Sequence, residues 1–236
     1  MEGDWEGMKS CSIIMARKGS EYNNPSLILD AVVVNLQSKN GEWNSLSSRS
    51  MGPFVVHERG PPLRMYNNGQ YPGTYAQNGE RISLCRSLDN YLASSVVYKD
   101  EVQSGYITPS YFERRAYLMF SSVPMKRGTF KPQRCASSLY FEGKVSPLSS
   151  YNTYRCYYYN HLARMSSEYQ RLHSLKNEGH TILLIDDSLE TCECGFDMNE
   201  EQLLQRFSYY KGMGPSKPIP SALMLNLLLR DIVAAE

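Results

Sequence analysis

The segment Ser221–Ala235, SALMLNLLLRDIVAA, constrains the fold more than any other stretch of this chain. It is apolar on nearly every side at helical spacing, so a helix here must be buried. A chain of 236 residues is long enough to surround it, as one large domain or two small ones. Hydrophobic residues at 42% and charged residues at 21% predict a packed core of ordinary globular kind.

Upstream of that helix, strand and helix signals alternate irregularly. Leu27–Leu36, LILDAVVVNL, is a nearly continuous β-branched run and predicts a buried strand. Phe54–His57 predicts a short strand after Gly52-Pro53. Residues 58–80 carry Gly, Pro or Asn at almost every turn position, which predicts a long inserted loop. Ser87 is placed to cap a helix with Asp89 in its first turn. Thr108-Pro109 is a helix start, and Phe112, Arg115, Ala116 and Met119 share a face of that helix. Ser138–Phe141 reads as a short strand. From Tyr151 to Leu172, apolar residues recur every three or four positions (Tyr151, Tyr154, Tyr158, Leu162, Met165, Tyr169, Leu172), with Arg155, Arg164, Glu168 and Arg171 off that stripe. Gly179 fits the helix end. Thr181–Ile185 predicts a buried strand that ends in Asp186-Asp187, and Asn199 caps a helix with two Glu in its first turn. The fold class is α/β or α+β, in one compact domain of several helices around a small sheet. Residues 1–25 are expected to form an irregular arm and 26–236 the domain. No repeat or low-complexity segment interrupts it.

Charge and composition narrow the function classes. A net charge of +1 argues against a nucleic-acid or membrane surface spread over the whole chain. No segment reaches the roughly 20 apolar residues of a membrane span. The first residues, MEGDWEGMKSCSIIMARKG, do not read as a secretory signal. The six cysteines fall into no paired metal-ligand spacing, which predicts free, mostly buried thiols in a reducing, cytoplasmic compartment. The four histidines lack H-x-H or H-x-x-x-H spacing, so neither a metal nor a cofactor is indicated. Eighteen tyrosines supply apolar area with a polar handle, as interfaces do.

Three stretches together resemble the NADAR family, in its divergent viral and phage-like branch. TPSYFERRAYLMFSSVPMKRGTFKP at 108–132 is similar to a Thr-Pro-x-Tyr-Phe-x-x-Arg pattern followed by Pro-Met-x-Lys/Arg-Gly and Lys-Pro. LSSYNTYRCYYYNHLARMSSEYQRLHSLKNEGHTILLID at 148–186 resembles the branch's Tyr-x-x-x-Arg helix followed by a strand ending in Asp. LSSRSMGPF at 46–54 is similar to its entry segment. The order of these motifs, rather than any one of them, carries the resemblance.

The resemblance implies a compact mixed α/β fold and hydrolysis of N-glycosidic bonds, in ADP-ribosylated guanine or riboflavin-pathway sugar phosphates. Such a reaction needs a carboxylate near C1, or one that activates water, and cationic groups for phosphate. Asp89 stands where the family's helix has Glu, one methylene shorter. The family's Gln is Ala93 here, its Lys is Val96, and its Gly-His before the last helix is replaced by Pro215 or Pro220. Asp89 is thus the candidate catalytic carboxylate, and Arg115, Lys126, Arg155 and Asp186 the candidate substrate- and phosphate-binding residues. Each has a plainer reading: Asp89 as a helix-dipole partner, the cations as solvated or aromatic-stacked charge, Asp186 as a turn former. Loss of three partners at once predicts weak or absent hydrolysis. The expectation is a catalytically degenerate scaffold with protein partners and, by analogy with viral members, a place in a virion or capsid. The alternative is an active N-glycosidase with an ADP-ribose-like ligand.

Overall fold

The computed structural model describes residues 11–17, 30–37, 40–58, 74–77, 80–121, 135–141 and 143–232. Its strands are β1 (Ile13–Ala16), β2 (Val32–Asn35), β3 (Phe54–Glu58), β4 (Thr74–Gln77), β5 (Glu80–Cys85), β6 (Val96–Tyr98), β7 (Val102–Gln103), β8 (Tyr106–Ile107), β9 (Ala136–Phe141), β10 (Lys144–Ser146) and β11 (Ile182–Ile185). Its helices are α1 (Leu88–Ser95), α2 (Pro109–Phe120), α3 (Tyr151–Arg164), α4 (Ser167–Asn177), α5 (Glu200–Met213) and α6 (Ser221–Leu229). This is a mixed helix-and-strand fold of the expected class.

The helix starts form for local reasons. Ser87 accepts the Asn90 N–H at 3.2 Å, and Asn199 accepts that of Gln202 at 2.9 Å. Pro109 takes the first position of α2, while the Thr108 hydroxyl turns away to the Glu101 carbonyl. Gly179, at φ +86°, follows the end of α4 in the left-handed conformation that suits glycine. Every residue of α6 is buried, as its composition demands, and the helix packs against β1, β11, α3 and α5.

The strands lie in four small sheets rather than one. β1, β11 and β2 are parallel, with Ile182 opposite both Ile13 and Val32. β10-β9-β6 and β3-β5-β4 are antiparallel, and β7 pairs with β8 alone. Among the described residues, strand pairing does not connect the four. Helices and side chains do.

Several expectations change. Ile13–Ala16 lies within the predicted irregular arm, yet it is a fully buried strand. Four apolar residues give no periodicity to read, and what makes them a strand is β11, about 170 residues away in sequence. The strand predicted over 27–36 is seen at Val32–Asn35, and it is an edge strand with Val33 46% exposed. Within the predicted loop 58–80, Thr74–Gln77 and Glu80 belong to a hairpin in which Gln77 faces Glu80. Asn78-Gly79, the dipeptide between them, is the commonest hairpin signal in a sequence. Most of the rest of that loop lies outside the described residues.

The stripe from Tyr151 to Leu172 is carried by two helices, because Ser166 caps a new one by accepting the Tyr169 N–H at 3.1 Å. Met165 falls at the break and is 74% exposed. The buried face of α3 holds Tyr151, Asn152, Arg155, Cys156, Tyr159 and Ala163, so Arg155 lies on the inside rather than off the apolar stripe. All six cysteines are free thiols, but only Cys85 and Cys156 are buried. Among the described residues, no helix is long and apolar enough to cross a membrane.

One close approach positions the region that matters next. Gly52 has φ +155°, and a Cβ there would meet the Arg86 carbonyl oxygen at 2.4 Å. Only glycine lets the loop 46–51 press against the start of α1. Gly52→Ala should therefore lower stability by about 2 kcal/mol or more, read as a fall in the urea midpoint with an unchanged slope.

Candidate functional site

The loop 46–51 lies over the N-terminus of α1 and supplies the acceptors that a helix start lacks. Leu88 N–H donates to the Met51 carbonyl and Asp89 N–H to the Ser48 carbonyl, both at 3.0 Å. This sets the Asp89 side chain, 3% exposed, against α3. Arg155 of α3 donates from Nη1 to Asp89 Oδ1 at 2.7 Å. The same guanidinium donates from Nη2 to Ser48 Oγ at 2.7 Å and from Nε to the Ile219 carbonyl at 2.9 Å. One arginine thus ties α1, the loop 46–51 and the approach to α6.

The network continues to Asp186. Ser48 Oγ and Ser221 Oγ lie 3.0 Å apart, and the Ser48 N–H donates to Ser221 Oγ at 3.2 Å. The next residue, Ala222, donates its N–H to Asp186 Oδ2 at 3.2 Å, so the carboxylate caps the start of α6. Asp186 Oδ1 accepts from Gln37 Nε2 at 2.7 Å and from the Ser188 N–H and hydroxyl at 3.0 and 2.5 Å. Gln37 in turn accepts from Arg49 Nη1 at 3.2 Å. The ends of β2 and β11 are thereby joined to the helix starts, at the carboxyl edge of the parallel sheet where α/β folds place ligands.

Burial alone would favour a neutral Arg155. Asp89 above all, with Tyr151 and Asp186, holds its pKa above the ordinary value, so the guanidinium keeps its charge. Two buried atoms on this network lack a hydrogen bond: Asp89 Oδ2 and Arg49 Nε.

Of the five candidate residues, the structure brings Asp89, Arg155 and Asp186 into one network. It holds Arg115 in a different setting. Arg115 is 1% exposed, 3.2 Å from Ser94 Oγ, with its guanidinium over the rings of Tyr91 and Tyr140 at 5.2 and 5.8 Å. Its guanidinium is packed among aromatic rings. Lys126 lies outside the described residues. Ser48, Ser221, Gln37 and Arg49 were not among the sequence candidates. The helix start marked Ser221, while Ser48 and Arg49 fall at variable positions of the entry segment LSSRSMGPF, and nothing in the sequence pairs them with Ser221.

A second polar cluster lies on α5. Glu193, with a side chain fully out of solvent, accepts from Arg206 Nε at 2.8 Å, from Tyr210 Oη at 3.2 Å and from the Glu190 N–H at 2.7 Å. Glu190 pairs with Arg206 and with Lys217. Nearby, a surface cavity of about 250 Å3 is lined by Leu148, Ser149 and residues 212–216, none of which belongs to the Asp89 network.

No family model, curated protein or solved structure matches this chain.

Two measurements test these assignments. Asp89→Ala leaves the Arg155 charge buried and unpaired, so it should cost roughly 3–5 kcal/mol, while the double variant Asp89→Leu, Arg155→Met should recover much of that loss in chemical denaturation. Burial pushes the Glu193 carboxyl up, against the pull of Arg206 and Tyr210. A raised native pKa means that the folded state holds the proton more tightly. Its contribution is therefore greatest at low pH and falls as pH rises from the ordinary carboxylate range through the native value. Glu193→Gln keeps an acceptor without the charge, so the difference in stability between the variant and the wild type should shift in the variant's favour as pH rises over that window. A constant difference would refute the shift.

Proposed function

We propose that this chain is a catalytically degenerate NADAR-like scaffold that acts as a structural or interaction protein. The observation that supports it most is the Asp89–Arg155 pair. In a glycosidase of the family that the motifs resemble, the carboxylate at this place must reach a sugar, and an arginine nearby must reach phosphate. Here one oxygen of Asp89 is committed to the guanidinium, and all three Arg155 nitrogens are engaged with Asp89, Ser48 and Ile219. Both side chains are almost wholly buried. The residues that replace the family's Gln and Lys, Ala93 and Val96, bring no polar group, and Val96 begins a buried strand. An ion pair so placed holds elements together instead of binding a ligand. The partner class, a protein assembly such as a capsid, follows from the motif resemblance alone, as do a cytoplasmic or virion location and any ADP-ribose-like ligand.

One observation favours the alternative, an active N-glycosidase. Asp89 Oδ2 is buried and carries no hydrogen bond. Such an atom costs free energy, and orphaned polar groups recur at functional sites. In that reading Asp89 would stabilise an oxocarbenium-like transition state after a local opening.

The deciding experiment incubates the protein with ADP-ribosylated guanosine, NAD and riboflavin-pathway sugar phosphates, with Asp89→Asn alongside. The expected outcome is no release of base or amine above background from either. Turnover by the wild type that Asp89→Asn abolishes would establish the glycosidase and remove the scaffold reading.

A further inference from the structure

The segment after β11 carries two cysteines one residue apart, Cys192 and Cys194. The other four thiols are placed differently. Burial shields Cys85 and Cys156, and it pushes the Cys156 thiol up to about 12. Cys11 is half-buried, and its thiol donates to the His180 carbonyl at 2.9 Å. Cys135 is exposed but has no cysteine close to it in sequence. Cys192 is exposed, whereas Cys194 is half-buried and packed against the core. An accessible thiol is thus followed by a sheltered one, the arrangement of an attacking and a resolving cysteine.

Glu190 holds both sulfurs. The Cys194 thiol donates to the Glu190 carbonyl at 3.3 Å, and the Cys192 thiol donates to Glu190 Oε2 at 3.8 Å. Arg206 Nη2 donates to that same oxygen, which sets a guanidinium near the Cys192 sulfur as a counter-charge for a thiolate. Thr191–Glu193 form a 3-10 turn. Cα atoms two residues apart in such a turn are about 5–6 Å from one another, within the disulfide range, but their side chains diverge by roughly 120°. A bond between Cys192 and Cys194 therefore requires the turn to open. Opening breaks the bonds from the Glu193 N–H to the Glu190 carbonyl at 2.9 Å and from the Cys194 N–H to the Thr191 carbonyl at 3.2 Å. It also moves Glu193, the residue between the two cysteines, whose carboxylate accepts from the Glu190 N–H, Arg206 Nε and Tyr210 Oη.

We propose that Cys192 and Cys194 form a reversible thiol–disulfide switch, oxidised by a small disulfide of the glutathione class, that opens the turn 190–194 and withdraws Glu193 from α5. Cys192 as thiolate attacks one sulfur of the small disulfide, forms a mixed disulfide and expels one thiolate. Cys194 as thiolate then attacks Cys192 Sγ, closes the protein disulfide and expels the second. The protein gives up two protons and two electrons, and the small disulfide becomes two thiols. The hydrogen bonds of the turn oppose the closed form, which makes this disulfide one of the readily reduced, regulatory kind. The change reaches α5 because Arg206 and Tyr210 lose the Glu193 carboxylate. The switch does not depend on the scaffold reading of the Asp89 pair.

The test equilibrates the reduced full chain in mixtures of oxidised and reduced glutathione, quenches with acid, alkylates the remaining thiols and maps the peptides by mass. A disulfide between Cys192 and Cys194 is expected, cleaved again when reduced glutathione is restored. Cys194→Ser should instead retain glutathione on Cys192, because the resolving thiol is gone. Hydrogen exchange on the oxidised chain should show loss of protection at the Glu190, Glu193 and Cys194 amides. Both cysteines remaining thiols in fully oxidised glutathione would overturn the switch. A glutathione adduct that persists on Cys192 of the wild type would overturn the resolving role of Cys194 and the switch with it. A Cys192–Cys194 disulfide that leaves the three amides protected would show that the turn does not open, and would equally refute the proposal.

Discussion

Arg155 is the residue on which the arrangement of the chain depends. Its guanidinium is charged, nearly free of water, and bonded at once to a helix start, a loop side chain and a backbone carbonyl. Moving that charge out of water is costly, and the cost is met only while all three acceptors stay in place. The position of α3 is therefore tied to that of α1 and of the chain entering α6. Gly52 belongs to the same requirement, because the loop that presents Ser48 can lie against α1 only where a Cβ is missing. From Ser48 the tie passes through Ser221 to Asp186 and the parallel sheet.

Polar ties of this kind recur where the small sheets meet the helices. Asn152, fully buried in α3, shares its two Nδ2 hydrogens among the Tyr210, Gly214 and Lys217 carbonyls and accepts the Ile219 N–H at 3.0 Å. It satisfies a turn that has no ladder of its own. Glu193 and Arg206 join the loop after β11 to α5, and Glu101 and Arg114 join β6 and the β7–β8 pair to α2. Among the described residues, the four sheets of two or three strands are not joined by strand pairing. Buried side-chain bonds, each costly to leave unmade, give the relative placement a definite answer. The apolar core around α6 supplies the burial energy, which is non-directional.

For function, the consequence is that charge and accessibility have parted company. The residues at the carboxyl edge of the parallel sheet have the types that phosphate and sugar chemistry use, yet their donors and acceptors are turned on one another. Solvent is faced by other groups, among them Tyr106, Tyr117 and Tyr157 and the charges of Arg164 and Arg171.

Local rules carried a good part of the fold. The caps at Ser87 and Asn199, Pro109 at a helix start, the strand before Asp186 and the burial of α6 were all legible, because each depends on residues within a turn or two of one another. Ile13–Ala16 was not, since four apolar residues become a strand only when β11 lies beside them. The break at Ser166 was overridden in the reading by an apolar spacing that runs across it, and the Asn78-Gly79 signal was lost among the glycines and prolines around it. In the site, sequence picked out Asp89, Arg155 and Asp186 one by one. It placed Arg155 off the apolar face, because an arginine reads as a surface residue until its partner is known. Residue type and short-range spacing were determined by the sequence alone. Which charge met which, and whether Asp89 faced a ligand or an arginine 66 residues away, was decided only by the tertiary structure, because the energy of a buried charge belongs to its surroundings and not to its neighbours in the chain.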